Sequence, residues 1–313
     1  IEQCITSIIK ELKPIDELIL INDGSRDNSL SLCEKYETAN IKVINNSNHG
    51  VSYTRNVGIN VSVKQYIMFV DADDYLLSGW REIIEKGILT ERDVVCFSNS
   101  NNHTISKKEL LDSIICYPQA YSIVKNASAC WGKLFRREYL VSNDIFFVQE
   151  LINGEDGIFS FMAVNRTDEY SLIASDDFYF YRTDNTSSAT HSFNEKFFET
   201  NVRYSEIIKE QLQLSQLYTC DEIDKRINRI IIQGLFILTL RLSFLSDKDI
   251  RKKHYNLYRD NFYKVFFKNY KLFAIRGFRL NLNCLLIKYG CFECAIAMIK
   301  IQNRIKKILK SLR

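Results

Sequence analysis

Ile1, Cys4, Ile5, Ile8, Ile9 and Leu12 recur at three- and four-residue intervals, so the chain opens in an amphipathic helix that Pro14 ends. "ELILI" (17–21) is apolar and too short for a helix, and reads as a buried strand. The turn-rich "NDGSRDNS" breaks it and leads into a helix through Leu30 and Leu32. "IKVI" (41–44) predicts a second strand, "NNSNHG" a loop, and 51–61 a helix. "YIMFV" (66–70) predicts a third strand, 78–89 a helix, and "DVVCF" (93–97) a fourth strand. Strand alternates with helix, and the strands are continuously apolar, as in a parallel sheet covered on both faces. The expectation is an α/β fold with a mostly parallel sheet and flanking helices. Ligands of such sheets bind at the carboxyl ends of the strands. Two acidic loops, "NDGSRD" and "DADD", fall at such ends.

Past residue 98 the pattern loosens into the aromatic-rich stretches "SACWGKLFRREYL", "NGEDGIFSFMAV" and "DFYFYRTDNTSSATHSF". From about Asn194 the chain reads as helices to its end. Three parts follow: 1–98, 99–193 and a helical region 194–313.

Composition narrows this picture. A chain of 313 residues, 46% hydrophobic with two prolines, supports a real core in one large or two smaller domains. Nine scattered cysteines do not look like a disulfide framework and fit a reducing compartment. Cys291 and Cys294 form a lone C-x-x-C, read as helix packing rather than half a zinc site. The longest apolar run, 230–240 between Arg229 and Arg241, falls short of the about 20 residues that cross a bilayer. No signal-peptide pattern is present, and the absence of an initiator Met creates the expectation of a start further upstream.

Charge is uneven. Residues 261–313 hold twelve Lys or Arg and one acid, Glu293, which makes +11; with +4 overall, the first 260 residues sum to −7. Ile301, Ile305, Ile308 and Leu312 share a helical stripe beside Arg304, Lys307 and Arg313. Such a helix either lies on an anionic membrane surface or packs on its own domain with its lysines in water. Nucleic acid is not expected, since the body is acidic and no binding motif appears.

The acidic loops carry the candidate chemistry. Asp71 and Asp73, at i and i+2 where a strand breaks, can turn toward one point and offer oxygen ligands to a hard cation such as Mg²⁺ or Mn²⁺. Such an ion would neutralise a diphosphate leaving group. The plainer alternative is a solvated turn in which Asp73 or Asp74 caps the next helix. "NDGSRDNS" is either a turn with Asp27 or Ser29 as N-cap, or a nucleoside cradle. Arg55 belongs to an ordinary helix or reaches phosphates beside Asn56.

Taken together, "ILINDGSRDNS", "GVSYTRNVGI", "YIMFVDADD" and "GEDGIF" fall in the order and rough spacing of the family 2 glycosyltransferases of the GT-A fold. Residues 1 to about 193 resemble the bacterial branch that builds capsules, O-antigens and other surface polysaccharides, and "WGKLFRR" and "YFYR" add to the likeness. The resemblance implies a GT-A, Rossmann-like sheet in which 1–98 binds a nucleotide sugar and 99–193 binds the acceptor. It implies an inverting, metal-dependent transfer from a nucleotide-diphosphate sugar, UDP-sugar first, to a saccharide or lipid-linked acceptor.

By the same resemblance, Asn22, Asp23, Ser25, Arg55 and Asp71 would hold the donor nucleotide, although the family usually has two acids where this chain has Asn22 and Asp23. Asp73 is the expected direct ligand of Mn²⁺ or Mg²⁺, with Asp71 nearer the ribose. Asp156 matches the catalytic base and Glu155 its support; the plain reading of that pair is helix capping. Trp131 resembles an acceptor platform or is simply core. Arg182 and His191 fall where a loop can fold over the diphosphate. The family's first strand, central in the sheet, would precede the helix at which this chain begins. A cytoplasmic enzyme at the inner face of the membrane is expected. A nucleotidyltransferase and a catalytically inactive, glycosyltransferase-like binding domain are the other readings.

Overall fold

In the computed structural model, which describes residues 1–98, 105–115, 126–175, 177–182, 193–266, 286, 289 and 291–311, strand and helix alternate as the apolar pattern requires. The order is α1 (Glu2–Ile9), β1 (Leu18–Asp23), α2 (Ser29–Glu34), β2 (Ile41–Asn46), α3 (Val51–Val61), β3 (Tyr66–Ile67), β4 (Tyr75–Leu76), α4 (Trp80–Ile88) and β5 (Val94–Ser98). Then come α5 (Lys107–Ile115), β6 (Lys133–Arg136), α6 (Arg137–Ser142), α7 (Glu155–Asn165), β7 (Tyr170–Ala174) and β8 (Tyr179–Phe180). The α/β class holds, with mixed rather than mostly parallel pairing. β1–β2 and β5–β7 are parallel, whereas β3–β6, β5–β6 and β4–β8 are antiparallel. The antiparallel members come from "GKLFR" and "YF", in the region where the sequence alternation loosens. Gly132, at φ +68, turns the chain into β6, a conformation that favours glycine.

β3 is shorter than the apolar run 66–70 suggested: the ladder holds at Tyr66 and Ile67, and Phe69 makes a single bridge to Trp131. Among the described residues, β1 pairs only with β2, and β3 only with β6. Between β1 and β3 lies a cavity of about 270 Å³, lined by Leu18, Leu20, Tyr66 and Met68 and by Cys4 and Ile8 of α1.

The core beneath the site joins α1 to the sheet: Cys4, Ile8, Trp80, Ile84, Phe97, Leu134 and Phe178 are buried in one cluster. Neither Asp73 nor Asp74 caps α4. Glu11 does so instead, accepting from the backbone N–H of Gly79 (2.7 Å) and Arg81 (3.1 Å).

The chain divides into two compact units, Ile1–Asn185 and Thr186–Arg313. The second is helical, with α8 (Phe197–Leu214), α9 (Cys220–Leu242), α10 (Lys248–Phe266) and α11 (Phe292–Ser311). α9 starts at a capping box of Thr219 and Glu222, and its Ile231, Ile232, Leu235, Leu238 and Leu242 form the centre of that unit's core. No helix of the described residues is long and apolar enough to cross a membrane. Cys291 and Cys294 are both exposed, which corrects their reading as packing residues: the helical phase buries Phe292, Ala295, Ile296 and Ile299 instead. Ile301 is exposed, and the side chains of the basic stripe beyond it lie outside the described residues.

Candidate active site

The two acidic loops have different fates. At the end of β1, Gly24 takes φ +71, and a Cβ there would meet the Asn48 nitrogen at 2.7 Å, so the loop 45–50 can approach only a glycine. Asn22 is buried; its Nδ2 donates to Asn45 Oδ1 (2.8 Å), and its Oδ1 accepts from the Ser25 N–H at 3.3 Å. Asp23 accepts from the N–H groups of His49 and Gly50, both at 2.8 Å, where α3 begins. Ser25 is exposed. Asp27 accepts from the Ser29 N–H at 3.0 Å, which supports its reading as a turn residue.

Past β3, Asp71 enters a charged cluster. Arg55, on α3, donates through Nη2 to Asp71 Oδ1 at 2.8 Å and through Nη1 to Asp156 Oδ1, with Glu155 Oε1 at 3.4 Å. One guanidinium thus joins a strand-end acid to the acid pair in the first turn of α7. Its side chain is 11% exposed and lies over the Phe147 ring, 5.2 Å from the centroid. Asn56 fixes that ring's backbone by donating to the Phe147 carbonyl and accepting from its N–H, each at 2.8 Å.

Burial works against the charge of Glu155, Asp71 and Arg55. It pushes the Glu155 carboxyl up to about 7, with the Asp156 charge adding to the rise and Arg55 opposing it. Burial also raises Asp71, again against Arg55. For Arg55 itself burial favours the neutral form, but the Asp156 and Asp71 carboxylates it pairs with more than offset this and raise its pKa.

Asp74, the third acid of the run, is 1% exposed and holds a different post. It accepts from Tyr179 Oη (2.7 Å) and from the Arg182 N–H (2.8 Å). The same Tyr179 hydroxyl accepts from the Asp71 N–H at 3.0 Å. Arg182 adds Nε to the Asp73 carbonyl (2.8 Å) and Nη2 to Gln3 Oε1 (2.6 Å). The 179–182 segment therefore fixes the backbone that carries Asp71 and Asp73. Trp131 is half-buried, its ring parallel to Tyr179 (4.4 Å, 9°) and to Tyr181 (5.5 Å, 13°). His191 lies outside the described residues.

Arg55, Asp71, Glu155 and Asp156 thus meet in one place, with Asp73 and Arg182 beside them. Asn22, Asp23 and Ser25 gather at the end of β1. Sequence reasoning missed Tyr179, the post of Asp74, and Phe147. The "YFYR" stretch gave a signal for the first, but nothing local links Tyr179 to an acid 105 positions earlier.

A divalent ion at Asp71 and Asp73 would share Asp71 with Arg55, whose Nη2 donates to Asp71 Oδ1. Among the described residues no three His, Cys, Asp or Glu side chains gather as a metal site, so an ion would draw its remaining oxygens from a diphosphate and water, as Mg²⁺ commonly does.

Residues 1–128 match the family model described as glycosyl transferase family 2. The chain is similar to the uncharacterized glycosyltransferase EpsJ of Bacillus subtilis (strain 168), 29% identical over 204 residues covering 61% of this chain and 59% of that protein. It is similar to the poly(ribitol-phosphate) β-N-acetylglucosaminyltransferase TarS of Staphylococcus aureus (strain Mu50), 27% identical over 206 residues covering 58% of this chain and 34% of TarS. The chain thus spans 59% of EpsJ and a third of TarS, less than two thirds of either. The crystal structure of S. aureus TarS 1–349 aligns with a TM-score of 0.56 at 16% identity, over 96% of this chain and 87% of that one. The same TarS segment in complex with UDP aligns at 0.50 and 21% identity, over 88% and 90%. At those identities the likeness is one of fold.

Proposed function

We propose that this chain, whose residues 1–128 match glycosyl transferase family 2, moves a sugar, with inversion, from a nucleotide-diphosphate sugar to a hydroxyl of a saccharide or lipid-linked acceptor in surface-polysaccharide synthesis. The observation that carries this reading is the single guanidinium of Arg55 holding Asp71 together with Glu155 and Asp156. UDP is the first donor nucleotide to test, because the TarS fold neighbour was crystallised with it.

In this reading Asp71 and Asp73 hold Mn²⁺ or Mg²⁺ with the donor diphosphate. The ion, when bound, supplies Lewis-acid stabilisation of the leaving group. Asp156 takes the proton of the acceptor hydroxyl as that oxygen attacks the anomeric carbon; the new C–O bond forms as the bond to the diphosphate oxygen breaks on the opposite face. Glu155, which keeps its proton up to about pH 7, does not compete as a second anion. Asn22, Asp23 and Ser25 border the nucleoside, Arg182 the diphosphate, and Trp131 the acceptor. The reaction belongs at the cytoplasmic face of the membrane, where a lipid-linked acceptor would be met.

The test is release of nucleoside diphosphate from a panel of UDP-, GDP- and dTDP-sugars with Mn²⁺. Turnover of one donor, lost in Asp73→Ala and Asp156→Ala, is the expected result. Turnover that persists in Asp156→Ala, or no binding of any nucleotide sugar with metal present, would sink the reading.

A further inference from the structure

Lys133 opens β6 opposite Cys96 and is 2% exposed. An ammonium gives up strong hydration on burial and is almost never found so deep unless something holds it. Its Nζ donates to the Ala129 carbonyl and lies 3.5 Å from the Asn126 carbonyl. Both belong to one turn, closed by the Ala129 N–H donating to the Asn126 carbonyl at 2.9 Å, with Asn126 in the left-handed region at φ +53. The Ala129 carbonyl also accepts from Ser160 Oγ at 3.0 Å. Ser160 is fully buried on α7, four residues after Asp156 and therefore on the same face of that helix.

Past this turn come Cys130, fully buried, and Trp131. Cys130 lies within electrostatic reach of Asp156, Arg55 and Asp71. Burial lowers the Lys133 pKa, while the Asp156 carboxylate works to keep its charge. An apolar side chain of the same length would fill this space without the loss of hydration, but it could not draw two carbonyls onto one point.

We propose that Lys133 is a positioning residue: its buried ammonium ties the 126–129 turn, through the Ala129 carbonyl, to α7, and so holds Trp131 and the Glu155–Asp156 pair in one geometry for sugar transfer. The role in transfer rests on the function proposed above, whereas the tie does not.

Two readouts separate them. The chain has two tryptophans, so in a Trp80→Phe background the fluorescence reports Trp131 alone. Lys133→Met is expected to increase acrylamide quenching of Trp131 and shift its emission to the red. Turnover of the nucleotide sugar should fall on the order of 10²-fold, as for a reacting group displaced by about an ångström. The donor KM should stay within about twofold, which separates lost positioning from lost donor binding. Lys133→Arg should restore part of both, and Ser160→Ala should move both in the same direction by less. A folded Lys133→Met with unchanged quenching and turnover overturns the proposal, as does turnover lost only in proportion to the unfolded fraction. Should Lys133→Met not fold, unchanged quenching in Ser160→Ala overturns it. Absence of turnover in the parent protein refutes the transfer reading, while the quenching still decides the tie.

Discussion

Two acidic loops at the carboxyl ends of strands look alike in sequence, "NDGS" after β1 and "DADD" after β3, yet the fold uses them differently. Asp23 meets neutral backbone donors, the N–H groups of His49 and Gly50, at the edge of solvent. Asp71 meets a buried guanidinium that also holds two distant acids. The first arrangement braces a loop. The second concentrates charge where burial opposes it, and clustered, perturbed acids of that kind mark chemistry more often than architecture.

Breaking the second arrangement should cost most. Arg55→Ala leaves Asp71, Glu155 and Asp156 facing one another without a cation, and the loss of one partner of a buried ion pair costs about 3–5 kcal/mol. A urea midpoint shifted down at constant slope would register this as lost stability. Asp74→Ala comes next. It leaves the Tyr179 hydroxyl and the Arg182 N–H without their buried acceptor, for about 2–4 kcal/mol from two charge-assisted bonds. The same variant should lower turnover, since the backbone carrying Asp71 and Asp73 loses its latch.

Glu155 sharpens the comparison through pH. Its carboxyl titrates near 7 in the fold against a usual 4.5, so the folded state holds a proton that the unfolded chain has released. Its stabilising contribution is complete below about pH 4.5 and is lost as pH rises through 7, by on the order of 3 kcal/mol. Glu155→Gln should flatten that part of the stability–pH curve and make the protein more stable than its parent at pH 8, as read by urea melts across pH 5–8. The smallest effect is expected in the first loop. Asp23→Ala removes acceptors at a helix start, for about 1–2 kcal/mol, and should leave the stability–pH profile between 5 and 8 with its parent shape.

Much of this was legible in the sequence because it is local. Apolar runs of four to six residues placed β1, β2 and β5 within a residue or two, and the "GED" pair fell in the first turn of α7 as its position before an apolar helix implied. What escaped depends on contacts across the chain. β6 enters the sheet antiparallel through a left-handed Gly132, which hydrophobic periodicity does not encode. Asp73 and Asp74 were candidate caps for α4, a post that Glu11 fills from 68 positions away. Cys291 and Cys294 looked apolar enough to pack, but the helix turns Phe292 and Ala295 inward and leaves both thiols outside. Lys133 gave no signal at all, because a lysine read alone belongs in water.

The central proposal is that Asp71 and Asp73 serve the donor while Asp156, joined to Asp71 by Arg55, serves the reaction. Calorimetry of UDP with Mn²⁺, paired with turnover of the matching UDP-sugar, tests it on Asp73→Asn and Asp156→Asn. The account predicts that Asp156→Asn binds UDP as its parent does but loses on the order of 10²–10⁴-fold in turnover, and that Asp73→Asn loses the metal-dependent binding. An Asp156→Asn that turns over at the parental rate, or loses UDP binding as fully as Asp73→Asn, would contradict that division of labour.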